Sequence, residues 1–251
     1  IETENLTECH CRLLRELDVQ ANMVAPIVVG DDLVGLLCAH QCSGPRQWQP
    51  EETNMIQQIA TQIGFALSQA RLLETQKEAV MREQQLAELV TSIREISVSG
   101  APRLESREKI FRLVTRQTKL AIESSRVVIY LFDENWKGTV VAESVEPQWP
   151  PALGAEIADP CFAERYVDQY RAGRVKATSD IYNAGLTPCH LGQLEPYQVK
   201  ANLVAPIVVE DKLLGLLIAH ECSGPRDWSD ITINFIQRAA TQLGFALEQA
   251  E

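Results

Sequence analysis

The cysteines and histidines of this sequence carry its most distinctive chemistry. A Cys-His pair at Cys189-His190 lies in the segment GLTPCHLGQLEPYQ, and a second pair lies at Cys9-His10. A thiolate is a strong nucleophile near neutral pH, so a cysteine of this kind can bond covalently to an electrophilic ligand. Because the number of cysteines is odd, they cannot all form disulfides with one another. The seven are Cys9, Cys11, Cys38, Cys42, Cys161, Cys189 and Cys222.

An internal repeat places the two Cys-His pairs at equivalent positions. Residues 21–48, ANMVAPIVVGDDLVGLLCAHQCSGPRQW, return at 201–228 as ANLVAPIVVEDKLLGLLIAHECSGPRDW. Aligning 1–71 with 181–251 gives roughly 40 identical positions, which indicates two copies of one domain. The first copy lacks everything equivalent to the residues before Ile181, and we therefore expect the chain to begin inside a domain.

The pattern of apolar residues predicts the elements that position these pairs. In each copy a β-branched run, a tight turn (at Asp211-Lys212 in the second copy) and another apolar run are typical of a hairpin. Residues 125–133 and 138–145 predict another strand pair, and helical spacing follows at 235–247. The sequence therefore predicts an α+β fold, with a central antiparallel sheet flanked by helices.

Residues 51–98 predict one long helix between the copies. Its apolar residues follow alternating steps of three and four, as in a coiled coil, with one shift of phase. From about residue 74 to 96 we expect a seam for a parallel homodimer, because no other predicted element covers this stripe. The expected seam residues are Leu73, Val80, Leu86 and Ile93.

The repeat and the long helix divide the chain into three predicted parts. Residues 1–72 are the C-terminal part of a first domain, 73–100 are a linker helix, and 101–251 are a complete second domain. The helix would act as an inter-domain signalling element.

Composition excludes several classes of function. The net charge of -11 argues against binding to a nucleic-acid backbone, which requires clustered Lys and Arg. No apolar run approaches the length of a membrane span, and no leader of charged and then apolar residues stands at the N-terminus. We expect a soluble, cytoplasmic protein.

Two tandem α+β domains joined by a long helix resemble GAF-domain sensors, and the cysteines narrow the resemblance. The segment around Cys189 is similar to the chromophore-attachment segment of cyanobacteriochromes, the phytochrome-related photoreceptors of cyanobacteria. The sequence DPCF at 159–162 resembles the Asp-x-Cys-Phe motif of a subfamily with a second, photochemically active cysteine. The resemblance covers residues 101–251 in order.

The resemblance implies a covalently bound linear tetrapyrrole, either phycocyanobilin or its isomer phycoviolobilin. It assigns the permanent thioether to Cys189 and a reversible bond with the central methine carbon to Cys161. That second bond would divide the conjugated system, which predicts a switch between blue-absorbing and green-absorbing states. Asp159 resembles the family aspartate that accepts hydrogen bonds from the pyrrole N–H groups. The other pocket residues implied by the resemblance are Phe162, Tyr166, His190 and His220.

Two further sets of residues could contact a chromophore. The first copy retains Cys9-His10 as a possible attachment site, but its counterpart of Cys161 lies outside the chain. Cations near the pocket could pair with the two propionates of the tetrapyrrole, or they could be solvated surface charges. The candidate cations are Arg174, Lys176 and Lys200.

Three functions of other classes compete with light sensing. A GAF module could bind a cyclic nucleotide or another small ligand, which explains the fold but not both cysteines. A zinc site is a second alternative, although the spacing of its candidate ligands is not that of a zinc finger. A Cys-His nucleophile is the third, but neighbouring residues seldom point at each other as catalysis requires. We expect no metal and no enzymatic activity, with a downstream output domain outside this chain. The candidate zinc ligands are Cys189, His190, His220 and Cys222.

Overall fold

A computed structural model of the chain describes residues 7–98, 102–158 and 166–249. The chain divides into two compact units, Ile1–Glu78 and Ala79–Glu251, called here the first and the second unit. None of the helices within the described ranges has both the length and the apolar character needed to cross a membrane.

The first unit contains a short helix, a β-hairpin and the start of a long helix. The hairpin strands pair antiparallel from Ala21 opposite Gln41 to the turn, and their buried Ala25 packs on Ile56 and Ala60. Leu36 on the same hairpin is 57% exposed, so this sheet buries little on its other face. The elements are α1 (Glu8–Glu16), β1 (Ala21–Val29), β2 (Asp32–Gln41) and α2 (Pro50–Val98), the last of which continues into the second unit.

The second unit has a six-stranded antiparallel sheet, in the order β5-β4-β3-β8-β7-β6. The predicted α+β architecture, a central antiparallel sheet flanked by helices, is confirmed. A 3-10 turn at Glu195–Tyr197 follows the fifth helix directly. The elements are α3 (Arg103–Ile122), β3 (Arg126–Phe132), β4 (Lys137–Val145), β5 (Glu156–Ala158), α4 (Val167–Arg171), β6 (Lys176–Thr178), α5 (Pro188–Leu194), β7 (Ala201–Val209), β8 (Lys212–Glu221) and α6 (Asp230–Gln249).

The two faces of the sheet have different partners, because successive side chains of a strand point to opposite faces. On β3, Val127 and Ile129 belong to the main core with α3, α6 and the end of α2. The alternate residues Val128 and Tyr130 belong to a second apolar cluster on the other face. Helices cover the first face, and the second face remains available for a cavity.

The hairpin turn between β7 and β8 lies one residue earlier than the sequence predicted. Glu210 and Asp211 both have positive φ, at 44° and 63°, as in the type I′ turns that suit the twist of a two-stranded hairpin. The prediction placed the turn at Asp211 and Lys212, but Lys212 already pairs with Val209 in the ladder.

The predicted dimer seam is wrong for the C-terminal half of α2. Leu86 and Ile93 are 3% and 6% exposed and lie in the core of the second unit. The apolar stripe packs on its own domain, so these side chains cannot face a second protomer. Leu73 and Val80, by contrast, are 64% and 57% exposed.

Gly215 offers a test of the contact between β3 and β8. A Cβ at this position would overlap the carbonyl oxygen of Tyr130, which belongs to backbone and cannot move aside. We expect Gly215→Ala to lower the free energy of unfolding by about 1–3 kcal/mol. Its repeat counterpart, Gly35, would meet only Ile27 Cδ1 at 3.8 Å, an ordinary contact.

The measurement is urea unfolding of both variants, followed by tryptophan fluorescence. Gly35→Ala is the matched control and should leave the transition of the second unit in place. Equal stability of Gly215→Ala and the unmodified chain would contradict the described strand spacing.

Candidate functional site

A cavity of about 220 Å³ lies on the second face of the sheet, between the strands and the segments that carry α4 and α5. Side chains of β3, β4, β7 and β8 form its floor, and the opposite wall includes residues 185–187 and the 3-10 turn. The cavity therefore lies beside the helix that carries one of the two Cys-His pairs.

Aromatic side chains form one part of the cavity wall. Tyr130 and Phe132 meet edge to face with centroids 5.2 Å apart, and Trp136 meets Phe132 in the same way at 5.5 Å. The Tyr130 hydroxyl donates a hydrogen bond of 2.7 Å to the Ile157 carbonyl oxygen, which fixes β5 against β3. This wall suits a large, flat, apolar ligand.

Helix α5 brings His190 into the cavity lining, whereas Cys189, the residue before it, is not part of that lining. Thr187 is its N-cap, whose side-chain oxygen accepts a hydrogen bond of 3.3 Å from the His190 amide, and Pro188 occupies the first turn. Thr187 and His190 both line the cavity, and Cys189, which lies between them in the sequence, is exposed. Helix α5 therefore joins an exposed cysteine directly to a lining histidine.

Buried polar atoms on the strands also face the cavity. His220 on β8 pairs with Asn202 on β7 in the sheet register, and both residues line the cavity. His220 Nδ1 and Asn202 Oδ1 are buried and have no hydrogen-bond partner in the described part of the chain. Since buried polar atoms without partners are costly, this pair favours a ligand that carries hydrogen-bonding groups.

His220 is held in its neutral form. Burial lowers the pKa of its imidazole from 6.5 to about 3, and the positive charge of Arg126 contributes to the same direction. Burial also raises the pKa of the Tyr170 phenol to about 12. Both side chains line the cavity and remain uncharged near neutral pH.

The charged lining residues among the described positions, Arg174 and Lys176, are both cationic. The guanidinium of Arg174 lies 5.3 Å from the ring centroid of Tyr166 and 5.7 Å from that of Tyr170. Lys200, the third candidate cation, is not part of the lining, and its Nζ lies 5.0 Å from the Tyr182 ring centroid. The cavity can therefore accept the carboxylates of a ligand.

Several predicted site residues lie together, and others lie outside the described ranges. Tyr166, His190 and His220 all line the cavity. The predicted residues outside the described ranges are Asp159, Cys161 and Phe162. Most of the other lining residues were not predicted, and Asn202 and Tyr197 are two of them; a signal for Asn202 is the asparagine at the start of the apolar run in both copies.

The first unit differs from the second at the counterpart of His220. Cys9 is exposed on α1, and His40, the counterpart of buried His220, is exposed on β2. Over the described residues as a whole, no group of three or more His, Cys, Asp and Glu side chains could hold a metal ion.

Comparison with known proteins identifies the family. The GAF domain model matches residues 2–67 and 106–247. The chain belongs to the GAF domain family. The matched segment in the first unit and the one in the second unit are called here the first and the second GAF domain.

Solved structures show that the second GAF domain is of the cyanobacteriochrome type. The chain is 47% identical to the blue-light absorbing form of the Thermosynechococcus elongatus PixJ GAF domain, with a TM-score of 0.58, over 59% of this chain and 88% of that one. The green light-absorbing state of TePixJ, a cyanobacteriochrome domain, is also 47% identical, with a TM-score of 0.54, over 59% and 92%. The family predicted from the cysteine segments is confirmed.

Two further matches extend the comparison. A far-red absorbing domain with bound biliverdin, JSC1_58120g3, is 31% identical with a TM-score of 0.58, over 66% of this chain and 98% of that one. A putative methyl-accepting chemotaxis protein of Synechocystis is 44% identical over 247 residues, 98% of this chain. The match covers 24% of that protein, so the chain spans about a quarter of its length.

The depressed pKa of His220 predicts an acid sensitivity of the second GAF domain. Between pH 6.5 and about 3 the unfolded chain binds a proton at His220 that the folded chain does not, so stability falls as pH falls. From pH 7.5 to 5 this linkage amounts to about 2 kcal/mol. The free energy of unfolding of His220→Gln should therefore decrease by about 2 kcal/mol less than that of the unmodified chain when the pH falls from 7.5 to 5.

Urea unfolding of the ligand-free protein at the two pH values measures this difference. His40→Gln is the matched control, because its side chain is exposed at the equivalent position of the first unit. If His220→Gln retained the full pH dependence of the unmodified chain, the burial of a neutral His220 would be contradicted.

Proposed function

We propose that the second GAF domain senses light through a linear tetrapyrrole bound covalently at Cys189. The observation that carries this proposal is the cavity itself: an aromatic wall, two unpartnered buried polar atoms and two cations line it, and the exposed Cys189 directly precedes the lining residue His190. The similarity to PixJ and to a biliverdin-binding domain supports the same ligand class.

Attachment at Cys189 is proposed to use the reactivity of a thiol toward the exocyclic carbon–carbon double bond on ring A. The sulfur adds to one carbon of the double bond of ring A and a proton goes to the other, which gives a thioether with no leaving group. The exposed thiol lies one residue before His190, a lining residue, so the bond would form at the cavity margin. Phycocyanobilin or phycoviolobilin fits this chemistry.

The lining residues supply partners for the polar groups of such a chromophore. A pyrrole N–H can donate to Asn202 Oδ1, and a ring carbonyl can accept a hydrogen bond from an N–H of His220, whose imidazole lies near ring D in this proposal. Arg174 and Lys176 would neutralise the propionates, since both line the cavity. We give Lys200 no such role, because it stacks on Tyr182 instead.

The switch is proposed to use Cys161 as a second, reversible nucleophile. Its thiolate adds to the central methine carbon and shortens the conjugated system, giving a blue-absorbing state. Light isomerises the bridge beside ring D, the thiolate leaves, and a green-absorbing state forms. Asp159 would accept hydrogen bonds from the pyrrole N–H groups. The segment starts directly after β5, which Tyr130 ties to the sheet.

The signal is proposed to leave through the helices. Helices α2 and α6 pack on the core behind the sheet, so a change at the strands can reach them. The chemotaxis relative supports an output domain beyond this chain, and we assign no catalysis to the chain itself. Three expectations stay predictions: dimerisation through the exposed Leu73 and Val80, attachment of a chromophore at Cys9 and His10, and location in the cytoplasm.

Replacement of Cys189 tests the attachment. In protein produced with phycocyanobilin, Cys189→Ala should lose at least about 90% of the zinc-enhanced fluorescence of the denatured band, because no thioether holds the bilin. Cys38→Ala is the control, since this exposed thiol lies on β2 in the other unit. A variant band as bright as that of the control would refute attachment at Cys189.

Replacement of Cys161 tests the switch separately. Cys161→Ser should keep the fluorescent band but lose the blue absorption, because a hydroxyl is too weak a nucleophile to form the second bond. Absorption spectra before and after illumination measure this. A Cys161→Ser protein that kept its blue band would exclude the two-cysteine mechanism and leave the Cys189 assignment intact.

A further inference from the structure

A buried ion pair lies beside the cavity without being part of its lining. Arg126, at the start of β3, is 0% exposed, and its Nε donates a hydrogen bond of 2.9 Å to Glu143 Oε1 on β4. The Glu143 side chain is only 4% exposed. Burying two charges is expensive, and an apolar pair of similar volume stabilises a fold about as well. Stability alone is therefore a poor explanation for these residues.

The two partners hold separate parts of the chain. The remaining donors of Arg126 reach backbone carbonyls: Nη1 donates to Tyr197 O at 3.0 Å, and Nη2 donates to Pro150 O. The carboxylate of Glu143 accepts hydrogen bonds of 2.9 Å from the amides of Ala152 and Leu153. The segment after β4 and the turn after α5 are thus fixed to one point of the sheet.

These tethers end on the cavity wall. Tyr197 and Ala152 line the cavity, and so does His220, which stands opposite Arg126 in the ladder of β3 and β8. The guanidinium also lies 5.7 Å from the Tyr197 ring centroid. Its positive charge contributes to the low pKa of His220. The Arg126–Glu143 ion pair is therefore bonded to the backbone of Tyr197 and Ala152 and lies opposite His220. These three wall residues come from distant parts of the sequence.

We propose that the Arg126–Glu143 ion pair positions the cavity wall formed by Tyr197, Ala152 and His220, and that it thereby sets how tightly the chromophore is held in each state. The effect on the chromophore rests on the proposed function. The tether, meaning the hydrogen bonds that Arg126 and Glu143 make to the wall segments, rests on geometry alone. Arg126 and Glu143 are positioning residues, because they act through the wall residues.

The test uses the double variant Arg126→Met with Glu143→Leu, which replaces the ion pair by apolar side chains and leaves no unpaired buried charge. In the bilin-loaded full chain we expect broader absorption bands and a thermal reversion of the photoproduct about tenfold faster, because the wall has lost its charged hydrogen bonds. A purely structural role would lower the unfolding midpoint and leave both optical properties of the folded fraction unchanged.

Hydrogen exchange of the bilin-free chain tests the tether independently. The amides of Ala152 and Leu153 should exchange at least about tenfold faster in the double variant, since their acceptor is gone. The internal control is the amide of Lys137, which donates a hydrogen bond of 2.9 Å to the Asp133 carboxylate in a distant turn.

A second variant is available if the double variant fails to fold. Arg126→Lys keeps the positive charge, but an ammonium group cannot reach both backbone carbonyls, and the same absorption and reversion measurements apply.

The outcomes separate the two proposals. Unchanged band width and reversion rate in a bilin-loaded variant overturn the positioning role and leave the light-sensing function standing. If neither the unmodified chain nor the double variant takes up bilin, the proposed function fails, and hydrogen exchange alone tests the tether. Faster exchange of the Ala152 and Leu153 amides in the double variant then supports the tether, and unchanged exchange overturns it.

Discussion

Strand β3 pairs with β8 from Arg126 opposite His220 to Leu131 opposite Gly215, and the core and the cavity of the second unit both depend on this ladder. The repeat provides the comparison. Leu216 on β8 is 6% exposed, whereas its counterpart Leu36 on β2 is 57% exposed, in a unit whose described residues form only a two-stranded sheet. The same hairpin sequence therefore buries its apolar residues only where a third strand and its helices cover it.

The cavity face of this ladder carries polar groups that an apolar core would not tolerate. His220 and Asn202 face each other across β8 and β7 with buried atoms unsatisfied, and Arg126 stands on the other side of His220. Unpaired buried polar atoms cost free energy, and sites that bind ligands are where proteins accept such costs. The arrangement separates a face built for stability, behind the sheet, from a face built for a ligand.

The long helix α2 shows how one apolar pattern can have two meanings. Steps of three and four residues fit a coiled-coil seam, but they also fit a helix that packs on its own domain. Leu86 and Ile93 take the second course in the core of the second unit. Spacing along a helix specifies which residues share a face, but it does not specify what covers that face.

The sequence by itself determined the repeat, the α+β class, the hairpins and the family, because these depend on identity between copies, on local periodicity and on short motifs. It also found His190, His220 and Tyr166, which line the cavity. Only the tertiary structure decided that Lys200 lies outside the lining, that α2 packs inward, and that Arg126 joins β4, the segment after it and the turn at Tyr197. Such contacts link residues far apart in the sequence, 71 positions in the case of Arg126 and Tyr197, and no local pattern records them. They arise because a folded chain must pair each buried charge wherever a partner comes within reach.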